Sequence, residues 1–288
     1  MKHPISFCIN TAVNELDYLK LLLRSLKENL KHDYHEVVVF IDSDNQDTFE
    51  WLLTQKSEFK DLKILRNILP VCYSPVRNIN EMFKFASHEI VSYIQSDMVI
   101  CKDYDKYLLK HIKPNMILSS TRIEPPLHGP GSEKHTMDFG LNPSGFRYDE
   151  FLKYCDAVRE DKVTSYYFAP FTLYKEVWNK IGGQDTTFRR SRDDSDILNR
   201  FTLSGVDIAQ TWEALVYHFT CTSSRGQGWY EAGNAKAQEK VRLQAKADEV
   251  ELTRMFRKWG EFSHGHPAQY YYNISSNITI DVEDANLY

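Results

Sequence analysis

The chain has 288 residues, 42% of them hydrophobic, enough to bury a sizeable core as one large domain with an appendage or as two domains. Its 35 basic and 40 acidic residues give a net charge of −5, which is ordinary and gives no sign of a nucleic-acid-binding surface. No signal-peptide core and no apolar run of bilayer length is present, so the expectation is a cytoplasmic protein without spanning helices.

The five cysteines (Cys8, Cys72, Cys101, Cys155, Cys221) are scattered, odd in number and free of CxxC spacing, so reduced, buried thiols are expected. For a cytoplasmic chain the sequons at Asn273 and Asn277 read as chance.

In chain order, Ile5 to Ile9 reads as a short apolar strand, and Asn14 as the cap of a helix carrying Leu16, Leu19, Leu22, Leu23 and Leu26. Glu36 to Ile41 is apolar and β-branched, the signature of a buried parallel strand. A polar turn at Asp42 to Asp47 leads into a helix through Phe49, Leu52 and Leu53, and Leu62 to Leu65 is a third strand. Pro75 suits the first turn of a helix with Ile79, Met82, Phe83 and Phe85, and Glu89 to Ile94 is a fourth strand. This alternation predicts a doubly wound, mostly parallel sheet, whose ligands bind beyond the carboxyl ends of the strands. Those ends are Asn10-Thr11, Asp42-Ser43-Asp44 and Gln95-Ser96-Asp97, all polar.

Residues 122 to 146, with the Pro- and Gly-rich run Glu124 to Gly131, read as a long binding loop or lid. Tyr166 to Phe171 reads as a strand, Lys175 to Ile181 as a helix ended by Gly182-Gly183, and Asp194 as the start of a helix closed by Gly205. Val206 to Ala209 and Ala214 to Tyr217 read as two further short strands. Ala235 to Trp259 is an amphipathic helix with Val241, Ala245, Leu252, Met255, Phe256 and Trp259 on one face. It is expected to pack on the main domain; peripheral membrane association is the weaker reading, because its polar face mixes both charge signs.

The acidic and polar residues have a distinctive order. Thr11, Asn14 and Glu15 follow the first strand, Asp42 and Asp44 the second, Arg77 opens a helix, and Gln95-Ser96-Asp97 follows the fourth strand. Ile181-Gly182-Gly183-Gln184-Asp185, Arg192-Asp193-Asp194-Ser195-Asp196 with Arg200, and His218 come after. This order and spacing resemble the family 2 glycosyltransferases of the GT-A fold over roughly the first 220 residues. The resemblance implies an α/β chain: a Rossmann-like, mixed but mostly parallel sheet flanked by helices. It implies a catalytic domain over 1–225, with a donor-binding half at about 1–120 and an acceptor half at 121–225, and a mainly helical extension over 226–288.

It also implies roles. A divalent cation, Mn2+ or Mg2+, would neutralise the diphosphate of a nucleotide-sugar donor, most simply a UDP-sugar. Asp97 stands at the metal and diphosphate site, and His218 completes the metal shell. The first acid of the family's Asp-x-Asp motif is replaced here by Gln95, which can still hydrogen-bond a ribose hydroxyl; Ser96 lies between them. Asp42 corresponds to the base-contacting acid, Asp44 holds the ribose or braces the turn, and Thr11, Asn14, Glu15 and Arg77 line the donor. Asp194 corresponds to the general base that deprotonates the acceptor hydroxyl, with Asp193 on the acceptor. Closely spaced acids also raise one another's pKa, as a base requires. The implied reaction inverts the anomeric centre and adds one sugar to a glycan or glycoconjugate. The motif Arg225 to Tyr230 could fold over the diphosphate, and it does not match the QxxRW motif of processive synthases.

Two alternatives stay open at this level. A sugar-nucleotide nucleotidyltransferase shares the architecture but wants a Gly-rich basic loop after the first strand, where this chain has Asn10 to Glu15. An inactive nucleotide-sugar-binding module is the other, motivated by Gln95. Plain structural readings stand beside these roles: Asp97 as a turn cap, Thr11, Asn14 and Glu15 as helix capping, Arg77 as a surface ion pair, the acids at Asp193-Asp194 as favouring the helix dipole, and His218 as a residue that ends a strand.

Overall fold

The computed structural model describes residues 3–12, 14–68, 74–127, 130–188, 192–220, 250–255 and 257–259. The donor-side half follows the strand–helix alternation of the sequence. Strands β1 (Ile5–Thr11), β2 (Glu36–Ile41), β3 (Leu62–Arg66) and β4 (Ile90–Gln95) are parallel, in the order β3-β2-β1-β4. Helices α1 (Leu16–Asn29), α2 (Gln46–Thr54) and α3 (Pro75–Phe85) connect them. The β2 residues are all buried, as a continuous apolar run requires when both faces are covered.

One local expectation changes. Asn14 does not cap α1: it adopts φ 65°, and the capping position belongs to Glu15. A short polar side chain tolerates this left-handed backbone better than most, which explains Asn at the bend. Ser74, by contrast, does cap α3: its hydroxyl faces the Arg77 amide at 3.5 Å, and Pro75 stands in the first turn.

The second half mixes strand directions. The sheet continues β4-β9-β6-β10-β5, with β5 (Met98–Ile100), β6 (Met116–Glu124), β9 (Phe171–Tyr174) and β10 (Asp207–His218). Two short strands, β7 (Lys134–Thr136) and β8 (Val163–Thr164), pair with β6 and β10. Helices α4 (Tyr104–His111), α5 (Tyr148–Val158), α6 (Lys175–Lys180) and α7 (Asp193–Leu203) complete the layers.

Here the structure corrects the sequence expectation in three places. The expected loop from 122 begins inside β6, which runs to Glu124, and β7 interrupts it again. The strand expected at Tyr166 to Phe171 begins only at Phe171. The two short strands after Gly205 are one strand, β10, broken in register between Thr211 and Leu215. That irregularity explains the apparent split, because it interrupts the alternation of side chains along β10.

The described cysteines Cys8, Cys101 and Cys155 are free and buried, and burial pushes their thiols upward in pKa. Cys72, Cys221, both sequons, the Arg225 to Tyr230 motif and residues 235–249 of the long helix lie outside the described residues. Residues 250–255 and 257–259 are helical and pack on the main body, but the buried face differs from the expected one. It carries Glu251, Arg254, Met255 and Trp259; Leu252 is half-buried, and Phe256 lies outside the described residues. Among the described residues no helix is long and apolar enough to cross a membrane.

Candidate functional site

Register assembles the site. In the antiparallel pair of β10 with β5, His218 stands opposite Met98; in the parallel pair of β10 with β6, Tyr217 stands opposite Ile123. The end of β10 is therefore flanked by Asp97 on one side and Glu124 on the other. His218 Nε2 lies 3.6 Å from Asp97 Oδ2, and Nδ1 lies 2.9 Å from Glu124 Oε1. The Phe219 amide donates to the Asp97 carbonyl at 3.1 Å, which fixes the backbone between them.

Glu124 is the residue that sequence reasoning missed. It is 3% exposed, and its carboxylate also meets Arg122 at 2.9 Å and Lys134 at 2.8 Å. Burial alone would raise its pKa. The hydrogen bond to His218, the Arg122 charge and the Lys134 hydrogen bond outweigh that and hold it at about 2. An ionised Glu124 accepts only, so Nδ1 of His218 carries a proton and Nε2 is the ring nitrogen turned toward Asp97. A carboxylate that orients an imidazole in this way is the usual support of a metal-bound histidine. Two ligands of one octahedral ion stand about 3 Å apart, so an oxygen and a nitrogen 3.6 Å apart need little adjustment to share one. The donor set of Asp97 and His218 fits a hard or borderline divalent cation.

The loop after β1 is tied to the loop after β4. Glu15 is buried, and its Oε2 accepts from the Ala12 amide at 2.9 Å and from the Ser96 hydroxyl at 2.5 Å. Asp42 is also buried; its oxygens face the Asn67 amide group at 3.3 Å and the Ser74 backbone amide at 3.1 Å. Asn78 on α3 donates to Asn10 at 2.8 Å. Asp44, in contrast, is exposed and forms an ion pair with Arg66, so it braces the turn. Arg77 is exposed on the first turn of α3.

Three buried oxygens at the carboxyl ends of β1, β2 and β4 have no hydrogen-bond partner among the described residues: Thr11 Oγ1, Ser43 Oγ and Gln95 Oε1. Other buried polar atoms, such as His135 Nε2 and Gln210 Oε1, are unpaired as well; what sets these three apart is their place at adjacent strand ends, where a ligand's polar groups can reach them.

Asp193 and Asp194 open α7, where the helix dipole favours negative charge. Burial raises the pKa of both. For Asp193 the charges of Asp194 and Glu251 add to the rise; for Asp194 the Arg122 guanidinium opposes it. Burial raises the pKa of Tyr93 on β4, and the charges of Asp193, Asp194, Asp97 and Glu15 add to the rise.

Two other clusters among the described residues have metal-like composition, and both are satisfied internally. His32, His35 and Asp105 meet at the amino end of β2; Nδ1 of His35 accepts from the Ile5 amide at 3.0 Å, so its other nitrogen donates to Asp105 at 2.9 Å. His111, Asp161 and Glu213 surround the Lys110 ammonium, 2.8 Å from Asp161 and 2.6 Å from Glu213, which supplies the positive charge itself.

A family model described as glycosyl transferase family 2 matches residues 8–180. A comparison with curated proteins returned no sequence match. Among solved structures, GalNAc-T7 with UDP, GalNAc and Mn2+ superimposes with a TM-score of 0.59 at 12% identity, over 88% of this chain and 49% of that one. A mannosyltransferase from Pyrobaculum calidifontis, PcManGT, in complex with GDP-Man and Mn2+, gives 0.54 at 14%, over 93% of this chain and 67% of that one. TarS 1-349 of S. aureus in complex with UDP gives 0.53 at 16%, over 74% and 60%. The chain thus spans about half of the GalNAc-T7 chain and six-tenths of the TarS fragment. At these identities the likeness concerns the fold, the GT-A arrangement of a mostly parallel sheet between helices.

Proposed function

The chain belongs to glycosyl transferase family 2, and from that premise we propose that it moves a single sugar from a nucleotide-diphosphate donor to a hydroxyl of a glycan or glycoconjugate. The observation that carries this reading is the meeting of Asp97, His218 and Glu124 beside the three unpartnered oxygens of Thr11, Ser43 and Gln95. It supports a metal-and-diphosphate site next to a polar nucleotide pocket. Known structures of this fold hold UDP or GDP-Man with Mn2+, which supports the same donor class here.

In this reading Asp97 and His218 hold a divalent cation, Mn2+ or Mg2+, which when bound neutralises the diphosphate as it leaves. Glu124 keeps the His218 ring in its metal-facing tautomer. Gln95 and Thr11 accept or donate to ribose hydroxyls, Ser96 and Glu15 hold the loops, Asp42 meets the base, and Arg77 reaches the donor from α3. Asp42, a buried carboxylate, suits a base that presents an N–H, as uracil and guanine both do; UDP is the favoured nucleotide on the family resemblance.

Asp194 takes the proton from the acceptor hydroxyl while that oxygen attacks the anomeric carbon opposite the diphosphate, so the configuration inverts. An alcohol is a poor nucleophile at neutral pH, and the raised pKa of the Asp193/Asp194 pair is what a proton acceptor needs. Asp193 binds the acceptor. Residues 1–225 form the catalytic domain in this reading, and 226–288 an extension that shapes acceptor binding. A cytoplasmic place of action and a role in polysaccharide synthesis accord with it.

Hydrolysis of UDP-GlcNAc and GDP-Man with Mn2+ tests the reading, because a transferase turns over its donor slowly without an acceptor. Asp194→Asn should lower that rate about 100-fold or more. Full activity in Asp194→Asn overturns the base assignment; a wild-type protein that binds a donor and never hydrolyses it favours the inactive binding module.

A further inference from the structure

The helical residues 250–255 and 257–259 lie beyond the stretch matched by the family model, yet they reach the acidic end of α7. Glu251, Arg254, Met255, Lys258 and Trp259 fall at i, i+3, i+4, i+7 and i+8, one stripe of a helix. Met255 and Trp259 bury against Phe188, which supplies the apolar anchor. The rest of the stripe is polar and aimed. Arg254 donates to the Thr187 carbonyl at 2.8 Å. Lys258 lies 2.6 Å from Asp185 and 2.7 Å from Asp196, and the Trp259 indole N–H donates to Asp196 at 2.9 Å. Glu251 comes close enough to Asp193 for its charge to be felt there.

Asp196 is the hub of these contacts. It is 1% exposed and ionically paired with Arg200 at 3.0 Å as well. Arg200 in turn donates to the carbonyls of Ile181 and Gly183, the turn that precedes this loop. Asp196 follows Asp194 by two residues, about 200° around a helix. The two carboxylates therefore leave α7 on opposite sides: one toward the strand ends and Arg122, the other into the C-terminal segment. A grip on Asp196 sets the rotation of the first turn, and with it the aim of Asp194.

We propose that Lys258 and Trp259 are positioning residues: acting through Asp196, they fix the first turn of α7 so that Asp194 faces the acceptor hydroxyl. The inference rests on the reading of Asp194 as the base. It makes the C-terminal segment a working part of the site. An apolar stripe would anchor a helix equally well, and four of these five positions instead carry a charge or a hydrogen-bond donor.

Lys258→Met and Trp259→Phe remove the two contacts and keep most of the packing. In the full chain, both variants should lower the turnover of UDP-GlcNAc or GDP-Man hydrolysis with Mn2+ about 10- to 100-fold, the cost of a misaimed group. Affinity for UDP with Mn2+ should stay within about twofold, since the donor side is untouched. Hydrogen exchange at residues 193–199 should accelerate while the midpoint of thermal unfolding moves by a few degrees at most; this readout needs no correct sugar. Unchanged exchange at 193–199, or turnover equal to wild type while Asp194→Asn is impaired, overturns the positioning role alone. Loss in these variants together with full activity in Asp194→Asn overturns the base reading and the positioning role with it.

Discussion

Glu124 Oε1 lies 2.9 Å from Nδ1 of His218, and that contact decides which imidazole nitrogen is offered to Asp97. The carboxylate has charge partners on both sides, Arg122 and Lys134, so it stays ionised and can only accept. A histidine at the end of a strand is thereby held with Nδ1 on Glu124 and Nε2 toward Asp97, the orientation that the proposed metal site requires.

Glu124→Gln should therefore weaken Mn2+-dependent binding of UDP by about 10- to 100-fold, although Glu124 touches neither the cation nor the nucleotide in this account. Titration calorimetry with and without Mn2+ reads the effect. Equal affinity in the variant would reduce the contact to a structural tie.

With Asp194 as the proposed base, the Asp193/Asp194 pair is expected to set the acid side of the pH profile. Both groups are raised above the ordinary carboxylate range by burial, and their repulsion falls on whichever ionises second. A base works only when ionised, so donor hydrolysis should rise with pH around an apparent pKa above the usual value of about 3.9. Asp193→Asn removes one charge and should move that rise to lower pH. The same raised pKa predicts a stability effect of opposite sense. A carboxyl that binds its proton more tightly when folded favours the fold at low pH and loses that contribution as pH climbs through its folded pKa. Thermal unfolding of the ligand-free protein should show Asp193→Asn stabilised at pH 8 and close to wild type at pH 4. No difference between the two pH values would mean that the pair is not strained.

Glu15 should prove to be a brace. Its single Oε2 serves the Ala12 amide and the Ser96 hydroxyl, so Glu15→Ala strands a buried donor and should cost about 1–3 kcal/mol in urea unfolding. Glu15→Gln keeps an acceptor oxygen and should cost less. A stable Glu15→Ala protein that has lost UDP binding would instead make Glu15 a ligand contact.

The parallel half of the fold was legible because its strands carry the plain signal of double burial: EVVVFI in β2 admits few other readings. β6 was illegible for the opposite reason. Its MILSSTRIE sequence ends in polar residues, yet all nine are buried, because partners elsewhere satisfy them. Ser120 meets the Tyr104 hydroxyl at 2.7 Å, and Thr121 donates to the Thr211 carbonyl at 2.9 Å. Such partners are distant in sequence, so a buried polar strand looks like a loop. Glu124 was missed for the same cause. Its approach to His218 follows from the register of Ile123 with Tyr217, which local spacing cannot reveal. Asp97, Asp193 and Asp194 needed less, since acids at strand and helix ends stand out in any reading of the chain. Asn14 misled because a left-handed bend and a helix cap select the same residue type.

In the proposed site Asp97 and His218 hold the cation that makes a nucleotide diphosphate bind at the carboxyl ends of these strands. Calorimetric titration of UDP into wild type and Asp97→Ala, each with and without Mn2+, tests it most directly. The account predicts binding in wild type that depends on Mn2+ and falls at least about 100-fold in Asp97→Ala. UDP binding that ignores Mn2+, or that survives unchanged in Asp97→Ala, would contradict it.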